Sequence, residues 1–530
     1  MSTPFSHHHF MFPFRWDILP AGFGISDIKE NISFDKRTDL ESIPNEFGKW
    51  KRKPFSFVDE TGKFLHENYN EFTYYHEFVA KAIYDYPYAW KKNQDVQKYY
   101  EYEIAKNSIY IINYLAGDKK ESIQLEVNGI SLHLYNTGIG ILSFNLSNCL
   151  DAQNSLDHIL KINEFGRRIY PQYMSFDGNV ACKNNFLADS IELNIGDEPI
   201  QEGFSWFDGS NRFLTPEEPY QLPKHITALF PADFIFSING TLAEPKKLIT
   251  KIADDRMFFL CWYGNDGKSK EIADHFETKE EVIDNWWYAF VFGDKQGPSI
   301  ANKVMQREQL KAHSYTRWIG LKTVYGISRD SFVCLSDNGE FAREHLRVHM
   351  QTIYYNMMVL CLAQRASILK FTAEVANLAD LAKIEEEKNL IRNIKEIYKN
   401  YIEFINKLYF REVTSQIQGI ELYTQTQKIM NIENEIKDLD NEIGELHQYV
   451  SLMQDSERNE DSNQLNILAM LFLPFTVIFG ILGANILGED SFYCAINDSK
   501  MWLQLGVGLG ISALISIIIL LFFKLKNKKS

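Results

Sequence analysis

The sequence predicts an α+β head on the cytosolic side, a long helical coiled-coil-like stalk and two C-terminal transmembrane helices. Three observations predict it. Two long stretches near the C-terminus, Ser462 to Gly488 and Met501 to Phe523, contain no charged residue. Between Phe341 and Pro474 there is no proline, and this region carries an unbroken heptad seam. The first ~345 residues instead mix alternating and helical hydrophobic periods, the texture of an α+β domain. The chain therefore divides into a head at 1–345, a stalk at 346–464 and a membrane hairpin at 465–530, with spans at about 466–487 and 501–523.

In the head, Ile123, Leu125 and Val127 alternate, Asn128-Gly129 supplies a tight turn, and Ile130, Leu132 and Leu134 alternate again, which predicts a hairpin. A third strand is expected at Ile139 to Leu146. Helices are predicted over Phe72 to Tyr86 and Ser155 to Arg168, and further strands near Arg256 to Tyr263, Trp287 to Phe292 and Leu321 to Leu335. Gly138-Ile139-Gly140 lacks the third glycine and the following helix of a phosphate loop, and reads as a β-turn.

In the stalk, Ile429, Ile432, Ile436, Leu439, Ile443, Leu446, Val450 and Met453 follow one another at steps of 3 and 4. Such a seam calls for another helix along its length, from the same chain or from identical subunits.

The two uncharged stretches are 27 and 23 residues long, and ~20 apolar residues suffice to cross a bilayer. Lys524, Lys526, Lys528 and Lys529 follow the second stretch and place the C-terminus in the cytoplasm. Two spans return the N-terminus to the same side of the cell (plasma) membrane. Only the link from Glu489 to Lys500 is then external.

Composition excludes some functions. With 55 basic and 70 acidic side chains the formal charge is −15, which argues against a chain built to grip nucleic acid. Aromatic residues make up 14%, which argues against disorder. Cys149, Cys182, Cys261, Cys334, Cys361 and Cys494 show no CxxC spacing, as expected in a reducing compartment. There is no GxSxG, HExxH, Walker-type loop or paired-cysteine zinc site, so no enzyme, resident metal or cofactor is expected. His7, His8 and His9 are expected on a mobile N-terminus without a second ligand cluster.

Within the first span the sequence Leu471 to Asn485 reads LFLPFTVIFGILGAN. Pro474, Thr476, Ile478, Gly480, Ile481, Gly483 and Asn485 match, position by position, the signature of the CorA family of divalent-cation channels, which this segment resembles. Ala484 stands where the family motif has methionine. The resemblance covers about the last 120 residues and implies a homopentamer in the lipid bilayer, with the first spans lining a pore for a divalent cation such as Mg2+. It also implies that Gly483 and Asn485 form the outer selectivity ring. Amide oxygens suit a hard ion that keeps its water.

Leu473 and Thr476 share a helical face with Ala469. Asn485 would point elsewhere on a straight helix, so Gly480 and Gly483 are the expected bends. Glu489, Asp490 and Asp498 outside, and Asp455, Glu457, Glu460 and Asp461 inside, would concentrate cations at the pore mouths.

The large head, with segments such as INEFGRRIYPQ and TRWIGLKTVYGISRDSF, resembles the CorA-like membrane effectors that accompany type III CRISPR systems in antiviral defence. That resemblance implies gating by a nucleotide second messenger, a conjugate of S-adenosylmethionine and AMP. Guanidinium forks and aromatic faces would hold such a ligand, and the candidates are Arg167, Arg168, Tyr170, Arg317, Trp318 and Arg329. The alternatives are a transporter gated by its own ion, a non-conducting membrane-tethered sensor and a membrane-bound hydrolase of nucleotides.

The side chain at Leu473 is expected to close the pore at rest by dewetting. In reconstituted vesicles Leu473→Asn should raise resting cation leak; unchanged leak would remove the constriction from that level.

Overall fold

The computed structural model describes residues 4–24, 39–86, 96–170, 186–196, 198–204, 222–238, 240–252, 255–278, 284–295, 297–381 and 387–455, together with 476, 503, 506, 507, 510, 514 and 517. Nearly all of both expected spans lies outside these residues, as do Leu473, Gly483, Asn485, Asp461, Glu489, Asp490 and Asp498. Among the described residues no helix is long and apolar enough to cross a membrane. Thr476, Leu503, Val507, Leu514 and Ile517 are helical and exposed.

The described strands form one sheet. In chain order they are β1 (Ser6–Leu19), β2 (Glu46–Phe47), β3 (Trp50–Arg52), β4 (Gln97–Tyr102), β5 (Ile109–Ala116), β6 (Lys119–Tyr135), β7 (Ile139–Asn148), β8 (Ser190–Asn194), β9 (Ile200–Gly203), β10 (Phe234–Ile235), β11 (Lys246–Lys251), β12 (Phe258–Gly264), β13 (Ser314–Tyr315), β14 (Val324–Ser328) and β15 (Ser331–Ser336). The main path runs β13-β14-β15-β12-β1-β7-β6-β4-β3-β2.

Strand β1 is central. One edge pairs antiparallel with β7 over Ser6 to Arg15. The other edge pairs with β12 up to Met11 and with β11 from Phe14 onward. Pro13, which has no N–H to give a ladder, lies in the gap between those two partners. The N-terminal histidines are therefore not mobile: His7, His8 and His9 are buried on a central strand. A run of three histidines reads as a polar terminus because it lacks the aliphatic pattern of a buried strand.

Helices α1 (His66–Tyr74), α2 (Glu77–Ile83), α3 (Leu156–Arg167), α4 (Lys224–Thr227), α5 (Asp266–Thr278), α6 (Asn285–Phe292) and α7 (Lys303–His313) lie within the sheet region of the chain. α3 matches its expected span and is capped by the Ser155 hydroxyl, which accepts from the His158 N–H. The expected single helix from Phe72 is instead the pair α1 and α2, broken at Tyr75 and His76, both extended.

Two strand predictions are corrected. Trp287 to Phe292 is helical, because Asp284 caps its start by accepting from the Trp287 N–H and Gly293, at φ 64°, ends it. Asn128-Gly129 is not a hairpin turn: β6 runs through it, with a register shift between Val127 and Gly129. The chain turns at Gly138, at φ 77°, with the Gly138 N–H donating to the Tyr135 carbonyl.

The second set of helices is α8 (Arg347–Gln351), α9 (Ile353–Leu381), α10 (Glu387–Lys407), α11 (Ile417–Ile429) and α12 (432–455). The heptad seam crosses a break at Met430 and Asn431, the latter at φ 61°. Up to Ile443 the seam is buried within its own chain: Ile432, Ile436, Leu439 and Ile443 join a core that includes Phe371, Tyr401 and Phe404. One compact unit extends to Ile443, so most of the expected stalk belongs with the head, and residues 444–530 form the other unit.

One close approach locks the centre of the sheet. A Cβ added at Gly140 would lie 2.2 Å from the Phe14 ring. Gly140→Ala should therefore cost about 1–3 kcal/mol, measured by denaturant unfolding of the full chain. Phe14→Leu in the same background should recover part of that loss.

Candidate functional site

A cavity of about 800 Å³ opens in the sheet-and-helix unit, within the range typical of small-molecule sites. One wall comes from the sheet, with Tyr99 and Glu101 on β4 and His133 on β6. A second comes from the segment 53–71 and the end of α2, with Phe55, Asn68, Glu71, Tyr84 and Asp85. A third is the junction of α8 and α9, with Gln351, Thr352, Tyr355 and Asn356.

That junction is a break in a helix. A π-helical turn, Ala342–Leu346, precedes α8, and Thr352 leaves helical geometry at φ −120° and ψ −82° before α9 begins. The joint is held by side chains from outside it. The Tyr75 hydroxyl donates to the Ile353 carbonyl, and Gln351 Nε2 lies 2.9 Å from His7 Nδ1. The Tyr355 hydroxyl sits 3.1 Å from both His133 Nε2 and Ser131 Oγ.

The electrostatics are uneven. Burial holds His133 down to about 3 and His9 down to about 3, so both rings are neutral near pH 7. The Arg52 guanidinium forks onto Asp85 at 2.7 and 2.6 Å, which neutralises that carboxylate. Glu71 is different. Burial pushes its carboxyl up to about 7, opposed by a hydrogen bond from Tyr84 and reinforced by Glu67. The Tyr84 hydroxyl donates to Glu71 Oε2 at 3.5 Å.

None of the six expected ligand residues lines this cavity. Arg167 and Arg168 come together at the end of α3, but both are buried and both bind Glu164, at 3.1 and 2.9 Å. Arg168 also pairs with Asp255. Tyr170 carries the Lys251 ammonium over its ring, 4.4 Å from the centroid. Arg317 and Trp318 dock on α11, where Arg317 Nη1 donates to Glu421 at 2.7 Å and Trp318 Nε1 to Gln418 at 2.7 Å. Arg329 lies 3.7 Å from Glu435. These side chains tie elements of the fold to one another.

Sequence reasoning missed the cavity residues. The signal available was the density of aromatic rings between Phe55 and Tyr86 with a carboxylate, Glu71, among them. Among the described residues no group of histidine, cysteine, aspartate and glutamate could hold a metal ion.

No protein-family model and no curated protein matches the chain. Among solved structures it matches the CorA magnesium transporter from Methanocaldococcus jannaschii at 10% identity, over 52% of this chain and 94% of that one, with a TM-score of 0.18. A superposition at that score does not establish a common fold.

The raised Glu71 carboxyl has a consequence for stability. Its folded pKa of about 7 exceeds the ordinary 4.5. Folding therefore takes up a proton between those values, and stability falls as pH rises through that window. Glu71→Gln should unfold at higher denaturant than the parent at pH 8, by about 1–3 kcal/mol, and match it at pH 4. An equal midpoint at pH 8 would show that the carboxylate is solvated.

Proposed function

We propose that the chain is a CorA-like oligomeric membrane channel for divalent cations, opened by a ligand that binds its enlarged cytosolic head. The observation that carries this reading is the run from Pro474 to Asn485, seven positions of one signature, set at the end of the first of two uncharged stretches. Gly483 and Asn485 are assigned to the outer ring, Thr476 and Leu473 to the pore wall. Glu489, Asp490 and Asp498 are assigned to the outer mouth and Asp461 to the inner one. Each subunit of a homo-oligomer, a pentamer by the resemblance, would contribute one copy.

A large cavity at a break in a helix supports the ligand-gated form over gating by the ion alone. The ligand class follows from the second resemblance, a conjugate of S-adenosylmethionine and AMP in type III CRISPR defence. Ala484 favours one competing reading, a membrane-tethered sensor that does not conduct.

Reconstitution separates them. Full-length protein in liposomes should release Mg2+ when the conjugate is added to the cytosolic side, and Asn485→Ala should reduce the flux or its preference for divalent ions. Ion flux unaffected by the conjugate would leave plain cation transport. No flux under any ligand would leave the sensor.

A further inference from the structure

Two helices present rows of opposite charge to solvent. The buried side of α10 holds Leu390, Ile394, Tyr401 and Phe404, and turned away from it are Arg392, Lys395 and Lys399, all exposed. The exposed side of α12, away from Ile432, Ile436, Leu439 and Ile443, carries Asp438, Glu442 and Glu445. Steps of 3 and 4 put each trio in one row along its helix, about 10 Å long at 1.5 Å per residue.

Neither row is neutralised by its own chain. The ion pairs on these helices belong to other side chains, Lys407 with Glu403 and Glu435 with Arg329. Among the described residues none of the six row residues makes one. On a chain of net charge −15, whose overall field repels a second copy, an exposed basic row is where an acidic surface of that copy can approach.

The rows match in register as well as in sign. Within one chain α10 and α12 run antiparallel: the Tyr401 hydroxyl donates to Asp440 at 3.2 Å, and just past α10 the Glu433 charge acts on Tyr409. Rotation about an axis along the helices keeps that sense between copies. Read forward from Arg392 the basic row steps by 3 and then 4, and read backward from Glu445 the acidic row does the same. Arg392 can therefore meet Glu445 while Lys395 meets Glu442 and Lys399 meets Asp438. A parallel pairing leaves the middle contact one residue out of step.

We propose that α10 of one copy docks antiparallel on α12 of the next through these two rows. This rests on the reading of the chain as a homo-oligomer, and it names the surfaces that meet. The contact is head-to-tail, since each copy offers a basic face to one neighbour and an acidic face to the other, and such contacts close into a ring where the rotation permits. Exposed ion pairs add little affinity singly and are screened by salt. Their part here is to fix which faces meet and in what register.

Cross-linking of the full chain in detergent tests the contact. Copies carrying Lys395→Cys are coexpressed with copies carrying Glu442→Cys, in a background with serine at positions 149, 182 and 494, and treated with a short bis-maleimide. A product joining one chain of each kind should form in the mixture and not with either variant alone. Adding Lys399→Glu to the first copy should remove most of that product, and Asp438→Lys in the second copy should restore it.

Product formed equally by one variant alone, or a yield indifferent to both charge reversals, would overturn the proposal. So would a missing product accompanied by slower labelling of Lys395→Cys by a soluble maleimide in phosphatidylserine vesicles than in phosphatidylcholine ones, which would assign the basic row to lipid. Light scattering on the same samples separates the two readings. An oligomer without the mixed product sinks this contact and keeps the assembly, whereas a monomer sinks both.

Discussion

Strand β1 has no solvent-facing side, and the rest of the sheet-and-helix unit is arranged around that constraint. Phe10, Phe12, Phe14 and Trp16 belong to one apolar cluster, with residues of α3 and α6, while Met11 belongs to the other, with α9 to α12. On a strand buried on both faces an unpaired polar group costs on the order of 1–3 kcal/mol, and of the ring nitrogens of its three histidines His9 Nδ1 alone has no hydrogen-bond partner. Its histidines are accordingly bonded across both faces: His8 Nδ1 lies 2.8 Å from Asn163 on α3, and His7 Nδ1 lies 3.2 Å from Ser147 and 2.9 Å from Gln351 on α8. Glycines make room for its rings, Gly140 under Phe14 and Gly166 under Phe10. The joint that borders the cavity thus hangs on the same strand that organises the core.

Charge inside the unit is spent on connection. Arg168 ties α3 to Asp255, Arg256 lies 3.8 Å from Asp330, and Asp330 lies 3.5 Å from Arg365 on α9. Arg365 also donates to the Arg329 carbonyl at 2.9 Å, and Arg329 reaches Glu435 on α12. The chain of contacts links both helical layers through the turn between β14 and β15. Such pairs add little net stability, since desolvation offsets most of the attraction, yet losing one partner strands the other. Their effect is to fix register between layers. Arg167, Arg168, Arg317 and Arg329 each face a carboxylate of the fold, since the rigid planar fork that makes guanidinium good at phosphate also makes it good at bridging helices.

What the sequence made legible followed from local rules. The α3 helix announced itself through its apolar period, and β12 through its apolar run, while the strand expected over Leu321 to Leu335 is divided into the antiparallel pair β14 and β15. Asn128-Gly129 misled because a turn dipeptide inside a long alternating segment also suits a bulge, and the choice depends on whether β7 can continue alongside. The Trp287–Phe292 segment misled because a fully buried apolar run has no period; only its Asp284 cap distinguishes helix from strand. The seam from Ile429 to Met453 was visible, but its partner was not, since a heptad states that a helix is covered and not by which chain. The cavity was the least legible feature. Its walls come from residues 53–85, 99–133 and 351–356, and no local pattern records that three distant segments meet.

The position of the cavity limits how a ligand could act. A ligand shifts a conformational equilibrium only by its difference in affinity between the two states, so its contacts must include groups that move. Sheet residues such as Tyr99 and His133 belong to β4 and β6, which are paired along their lengths and offer little change. Thr352 is a break at which a single residue leaves helical geometry, Asn356 stands in the first turn of α9, and helix breaks are where direction changes concentrate. α9 then continues for 29 residues to Leu381, and a small rotation at one end of a long helix becomes a larger displacement at the other. Tyr355, bonded to His133 and Ser131 and stacked on His9 at 4.5 Å, links the fixed sheet to that helix. A ligand held between the sheet wall and Thr352 would act across that joint.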